Sequence, residues 1–119
     1  MSTTSDLREI KTIVRTESVA RLLEALQDAG ITRFWISHVH SVGAGVDPED
    51  FRVSFEDGGT YSEKAKVEFV ADASEIDALI GVIRQHGGTG HRGDGVVLVT
   101  DVGHVVNVRT GDRDRLALL

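Results

Sequence analysis

The chain is expected to fold as an α+β domain in which one antiparallel sheet is backed by two helices. Three observations carry that expectation. Segments of strand-like alternation and helical spacing follow one another as strand, helix, strand, and the same order returns after a long irregular stretch. Each helical segment has one apolar stripe, which needs a sheet face to cover it. The chain has 119 residues and a mass of 12.9 kDa, which suit a single domain over residues 1–119. At that size roughly two-thirds of the unfolded surface is buried, so a core can form without disulfides, and the chain has no cysteine to supply them.

The elements follow in order. After a polar tail over residues 1–7, Glu9 to Arg15 mixes β-branched Ile10, Thr12, Ile13 and Val14 with charges, which predicts a strand with a buried face. Val19, Leu22, Leu23 and Leu26 then fall at helical spacing, with Ser18 as the expected N-cap and Gly30 as the stop. Arg33 to His40 returns to strand composition and places Ile36, His38 and His40 on one face, Trp35, Ser37 and Val39 on the other.

From Ser41 to Glu63 the regularity breaks. This stretch holds Gly43, Gly45, Pro48, Gly58 and Gly59 with the carboxylates Asp47, Glu49, Asp50, Glu56 and Asp57, and it predicts a long flexible loop over 41–63. Phe51, Val53 and Phe55 alternate inside it, so the other reading is a hairpin arm packed on the body. Order resumes at Lys64, where Ala65, Val67, Phe69 and Ala71 alternate against charges in a third strand. Asp72 and Glu75 have capping-box spacing ahead of Ile76, Leu79, Ile80 and Ile83, and that helix should end near Gly87 and Gly88. Val96 to Thr100 is a continuous apolar run, expected to be a strand buried on both faces, and Val105 to Arg109 a short fifth strand. The order is the split βαββαβ, or ferredoxin-like, pattern. Trp35 and the apolar fourth strand leave a second sheet face that needs a cover, for which self-association is the economical answer.

Composition narrows the function classes. Thirteen basic and nineteen acidic side chains leave a net charge of −6, which argues against a general nucleic-acid binder. Without cysteine, thiolate metal sites and cysteine nucleophiles are excluded. The opening Met-Ser-Thr-Thr-Ser-Asp lacks the regions of a signal peptide, and a cytoplasmic location is expected. No nucleophile–base pair or paired-carboxylate signature stands out, so a binding regulator is expected, not an enzyme.

The stretch Thr89-Gly90-His91-Arg92-Gly93-Asp94-Gly95 is the most informative. Three glycines in seven residues let backbone N–H groups converge on an anion, with His91 and Arg92 adding charge. The bland alternative is a tight turn closing the helix. His38 and His40 carry a rival reading: two apart on one strand face, they are spaced to share a metal with His91, His104 or a loop carboxylate.

Taken together, Thr89-Gly90 followed by Gly93-Asp94-Gly95, the apolar strand, and then Arg109-Thr110-Gly111 resemble the PII signalling protein family. Ile13 to Arg15, Glu24-Ala25-Leu26, Gly30-Ile31 and Lys64-x-Lys66-Val67 also fall at that family's spacing. The resemblance implies a homotrimer with nucleotide clefts between neighbouring copies and a long loop that engages a membrane transporter or metabolic enzyme. It places Thr89, Gly90, His91, Arg92 and the backbone of Gly93, Asp94 and Gly95 near phosphate, with Arg109 and Arg113 as cationic contacts. Ile13, Gly43, Glu68 and Val70 border the rest of the nucleotide.

The chain also departs from the family's pattern. Val96 stands where the family has a lysine and Asn107 where it has a second arginine. Ser41-Val42-Gly43-Ala44-Gly45 replaces a run carrying an arginine and a glutamine that helps hold magnesium and 2-oxoglutarate, and Asp57 stands where some members have a modified tyrosine. This pattern of loss resembles divergent PII-like proteins linked to transporters, including bicarbonate transporters, that favour AMP, ADP or other adenine nucleotides. Arg92, Arg113 and Arg115 are candidates to replace the lost charge. Losing three cations is expected to weaken ATP most, since each charge-assisted contact is worth about 1.5–3 kcal/mol. The structurally similar CutA proteins, linked to metal tolerance, keep the histidine reading open as the alternative function.

Overall fold

The computed structural model describes residues 6–56 and 58–119. Strand β1 (Leu7–Arg15), helix α1 (Val19–Asp28), strands β2 (Trp35–Ser41), β3 (Arg52–Ser54) and β4 (Gly59–Asp72), helix α2 (Ile76–Gly87) and strand β5 (Val96–Asp101) follow in order. The sheet order is β2-β4-β1-β5, antiparallel throughout, with β3 paired to the start of β4. This is the ferredoxin-like arrangement expected. Among the described residues, no helix is long and apolar enough to cross a membrane.

Both helices cover one sheet face, where Ile10 and Val14 of β1 and Phe69 of β4 pack against Leu22 and Leu26 of α1 and Leu79 and Ile83 of α2. Phe34 sets its ring edge-on to Phe69, with centroids 5.9 Å apart. Helix α1 closes as its spacing predicts: the N–H of Gly30 donates to Gln27 O and that of Ile31 to Leu26 O, both at 3.0 Å, which brings Ile31 into the core beside Leu26.

Several boundaries and caps differ from the sequence reading. Strand β1 begins at Leu7, not Glu9, because Leu7 is buried and pairs with Asp72. The expected tail therefore loses Leu7, and residues 1–5 lie outside the described residues. Neither expected cap forms. Ser18 sits in a 3-10 turn over Thr16–Ser18 and makes no side-chain cap bond. Helix α2 is likewise entered through a 3-10 turn over Ala73–Glu75, and Asp72 instead accepts a 2.7 Å bond from Arg115 Nε.

The stretch 41–63 is not one loop. Strand β4 starts five residues before Lys64, and its first residues pair with β3 in a short hairpin arm. The polar Thr60, Ser62 and Glu63 had masked that strand, since their partners lie on β3 and β2 rather than in the core. The arm is not packed on the body through its apolar residues, because Val53 and Phe55 are exposed. Asp57 lies outside the described residues.

Strand β5 is not buried on both faces within one chain. It is an edge strand paired to β1, and Val96 and Leu98 are about half exposed, at 54% and 50%. The expected fifth strand over Val105–Arg109 is absent. A single bridge joins Val106 to Arg113, and Asn107 ties the segment into a turn by accepting the N–H groups of Arg109 and Thr110 at 3.0 and 3.1 Å.

The sheet face away from the helices carries registered rows, since antiparallel partners project to the same side. One row runs Trp35, Glu68, Lys11, Leu98, and the next Ser37, Lys66, Ile13, Val96. Lys66 pairs with Glu68 at 3.3 Å and Lys11 with Glu9 at 3.2 Å. The open face thus carries Trp35, Leu98 and Val96 toward its edges, and Lys11, Lys66 and Glu68 with Ile13 along its middle.

Candidate functional site

The glycine-rich stretch connects α2 to β5, and it is organised around the Asp94 carboxylate. Asp94 Oδ2 accepts the N–H groups of Thr89 and Gly90, each at 2.8 Å, and Oδ1 accepts the Thr89 hydroxyl at 2.5 Å and Arg15 Nε at 3.0 Å. Converging N–H groups were expected to hold an anion, and at Thr89 and Gly90 that anion is the chain's own carboxylate. His91 N–H is also held internally, by Thr89 Oγ1 at 3.2 Å. Burial pushes the Asp94 pKa up most of any single influence, yet the hydroxyl and N–H of Thr89, Arg15 and the N–H of Gly90 together hold it well below the usual carboxylate range.

Two glycines are required where the stretch meets β1 and the arm. Gly95 has φ +108°, and a Cβ there would collide with the Ile13 carbonyl. Gly93 has φ +97°, and its Cβ would stand 3.0 Å from Asp47. Glycine at these positions lets the turn lie against the neighbouring backbone.

Behind the turn is a cluster that the sequence reading missed. Arg15, at the end of β1, bonds three acceptors at once: Nε to Asp94, one terminal nitrogen to Asp47, and the other to Arg92 O at 3.0 Å. Lys64, almost fully buried, donates to Gly93 O. Asp47 is buried at the foot of the arm, where it accepts Glu49 N–H at 2.9 Å and donates its own N–H to Ser62 Oγ at 2.7 Å. Two cations and two anions therefore balance in one partly buried group.

Shifted ionisation follows from this packing. The Glu49 N–H, more than the Arg15 ion pair, holds the Asp47 carboxyl low against the opposing effect of burial. Burial is the largest influence on Arg15 and opposes its charge, but Asp94 and Asp47 together outweigh it and raise its pKa. Burial and then Arg15 lower that of Lys64.

One chain does not gather all the predicted contacts. Ile13, Gly90, Asp94 and Gly95 line one open cleft of about 730 Å³ beside the end of α2. Gly43 and Arg92 share a second hollow of about 410 Å³ at the foot of the arm. Arg109 lies in a third, of about 480 Å³, with Arg33 and Trp35, and Val70 lines a fourth that Trp35 also borders. Glu68 stands on the open sheet face across from Trp35, and Arg113 is held at its bridge to Val106.

His38 and His40 lie on β2, where the His40 ring stacks on Tyr61 with centroids 4.0 Å apart. Among the described residues, no three His, Asp or Glu side chains are placed to hold a metal ion. Among the described residues, the histidine pair is not joined by the third ligand that reading requires.

The signal for this cluster lies in the strand register, which the sequence alone does not give. Arg15 and Lys64 are direct partners in the β1–β4 register, and two adjacent cations on one sheet face call for anions. Alternation sets Lys64 opposite the core-facing Ala65 and Val67 and gives no sign that it is buried.

Comparison with known proteins locates this fold. The family model described as nitrogen regulatory protein P-II matches residues 7–112. The nitrogen regulatory protein P-II 1 of Methanothermobacter thermautotrophicus is 30% identical over 112 residues, covering 94% of this chain and 97% of that protein. The P-II protein of Synechocystis sp. is 27% identical over 94% of this chain and 100% of its own length. Among solved structures, Arabidopsis thaliana PII bound to citrate superposes with a TM-score of 0.77 at 30% identity, over 95% of this chain and 92% of that one. B. subtilis GlnK in its ATP complex shares the fold, with a TM-score of 0.77 at 24% identity over 99% of each chain.

Proposed function

Because the chain belongs to the nitrogen regulatory protein P-II family, we propose that it is a cytoplasmic signalling regulator that binds adenine nucleotide between the copies of a homotrimer. It would act on a membrane transporter or metabolic enzyme through its arm. The observation that carries this reading is the division of the predicted contacts. Ile13, Gly90, Asp94 and Gly95 border one cleft, while Arg109 and Val70 stand in other hollows of the same chain. A neighbouring copy that brings its Arg109 to the first cleft would complete a nucleotide site from the two halves.

Short phosphate chains are the favoured ligands. Val96 and Ala44 carry no charge, and Asn107 is engaged in its own turn. Arg15 and Lys64 are already bonded to Asp94, Asp47 and the carbonyls of Arg92 and Gly93. Few cations are therefore left for a third phosphate, for magnesium-bound ATP or for 2-oxoglutarate.

Titration calorimetry with AMP, ADP and ATP, each with and without magnesium and 2-oxoglutarate, tests the assignment. AMP or ADP should bind at least as tightly as ATP, and Arg109→Ala should weaken binding about tenfold or more. A strong preference for ATP enhanced by 2-oxoglutarate would overturn the ligand assignment, and no nucleotide heat at all would overturn the function.

A further inference from the structure

Trp35 stands among the contacts that the first cleft lacks. It opens β2, is half exposed, and lines both the hollow of Arg109 and that of Val70. Glu68 is its direct partner in the β2–β4 register, on the same side of the sheet. Arg33 borders both hollows as well, so two guanidinium groups and a carboxylate surround one indole. The hollows measure about 480 and 300 Å³ and lie open beside it. Bringing Arg109 to the cleft of a neighbouring copy therefore brings Trp35 to the same place.

We propose that Trp35 is the platform on which the nucleobase stacks, and that this stack, more than the phosphate chain, decides which ligands the site holds. The proposal rests on the nucleotide reading above and deepens it. One argument is the company the indole keeps. A bare contact between copies would surround it with apolar side chains, yet its row continues through Glu68 and Lys11, and Leu98 lies at the far edge of the sheet. A flat aromatic face beside guanidinium groups suits a ligand with one planar ring and one anionic end. The other argument is compensation. Val96, Ala44 and Asn107 bring no cation, and Arg15 and Lys64 are engaged by Asp94, Asp47 and backbone carbonyls. Stacking of a base on an aromatic side chain contributes about as much as one charge-assisted phosphate contact. The ligand class therefore extends from nucleoside monophosphates to nucleosides with no phosphate at all.

The test uses the emission of Trp35, the chain's single tryptophan, together with calorimetry on the full chain. AMP should quench that emission, with a midpoint that matches the calorimetric affinity. Adenosine should displace AMP, binding about tenfold more weakly through the loss of one charge-assisted contact, whereas inorganic pyrophosphate in large excess should not displace it. Trp35→Leu keeps an apolar side chain and removes the aromatic face. It should weaken AMP about tenfold, and Trp35→Phe should recover most of that loss, with both variants sedimenting as the wild type does.

If Trp35→Leu fails to assemble, the wild-type quench and the competition between adenosine and pyrophosphate decide the matter without it. Heat with AMP but unchanged Trp35 emission overturns the stack, as does displacement of AMP by pyrophosphate and not by adenosine. Either result leaves the nucleotide reading in place, with Trp35 serving only as a contact between copies. No heat with AMP, ADP or ATP overturns the nucleotide reading and the stack together.

Discussion

At the scale of single residues, Asp94 matters more through its side chain than its place in a glycine-rich stretch implied. Asp94 and Asp47 both have pKa values lower in the folded chain than their ordinary value. Folding therefore gains while both are ionised; the gain is full above the unfolded carboxylate range and is lost as pH falls through that range toward the folded values. The melting temperature should be nearly flat from pH 5 to 8 and fall below about pH 4. Asp94→Asn should melt lower at neutral pH and show a shallower acid decline in the same thermal scans; an equally steep decline would mean that other carboxylates dominate. The glycines make a second residue-scale prediction. Gly95→Ala meets the Ile13 carbonyl as well as the cost of positive φ, whereas Gly90→Ala, at φ +82° with no atom within 4 Å, meets only the second. Urea denaturation should show Gly90→Ala costing about 1–2 kcal/mol and Gly95→Ala clearly more, with equal losses counting against the close approach.

At the scale of elements, what was legible followed from burial. Helices α1 and α2 and the middle of β4 have one face in the core, so Leu22, Leu26, Leu79, Ile83 and Phe69 declared themselves by spacing. Strand β5 was found by its apolar run but given the wrong environment, because such a run reads the same whether the chain itself or another molecule covers it. The arm was legible only as an alternative: Phe51, Val53 and Phe55 alternate across β3, but β3 is three residues long and Gly59 to Tyr61, which pair with it, show no apolar alternation. The Arg15 cluster could not be read without register, since its four charges come from four separate segments. The arm's weakness is testable. Ser62 to Asp72 pair along β2 and β1, so their amides should exchange slowly, while Arg52 to Ser54, in an isolated two-stranded ribbon, should exchange within the first time points. Uniform strong protection from Ser41 to Glu63 in the free protein would contradict this.

At the scale of the whole molecule, one chain has too much surface for its mass. It exposes 7732 Å², against about 6,300 Å² for a compact monomer of this size. Its radius of gyration is 16.1 Å, against about 13.5 Å for a compact domain of 119 residues. Part of the excess is the open sheet face, where Trp35, Val96 and Leu98 are each about half exposed toward its edges. Assembly through this face would cover those side chains and leave the arm projecting, which is the geometry the proposed regulator needs. Sedimentation should give about three times 12.9 kDa, and a monodisperse monomer at micromolar concentration would refute the trimer. Trp35 is the chain's single tryptophan, so its emission should shift to the red as the assembly is dissociated by dilution. Leu98→Glu separates assembly from folding. It places a carboxylate in the row already holding Glu68, on the face away from the helices. The chain should remain helical by circular dichroism yet sediment as a monomer with red-shifted emission. If Leu98→Glu stays trimeric with Trp35 emission unchanged, the copies meet through some other surface, and the hollow around Arg109 and Trp35 would then face water instead of a neighbouring cleft.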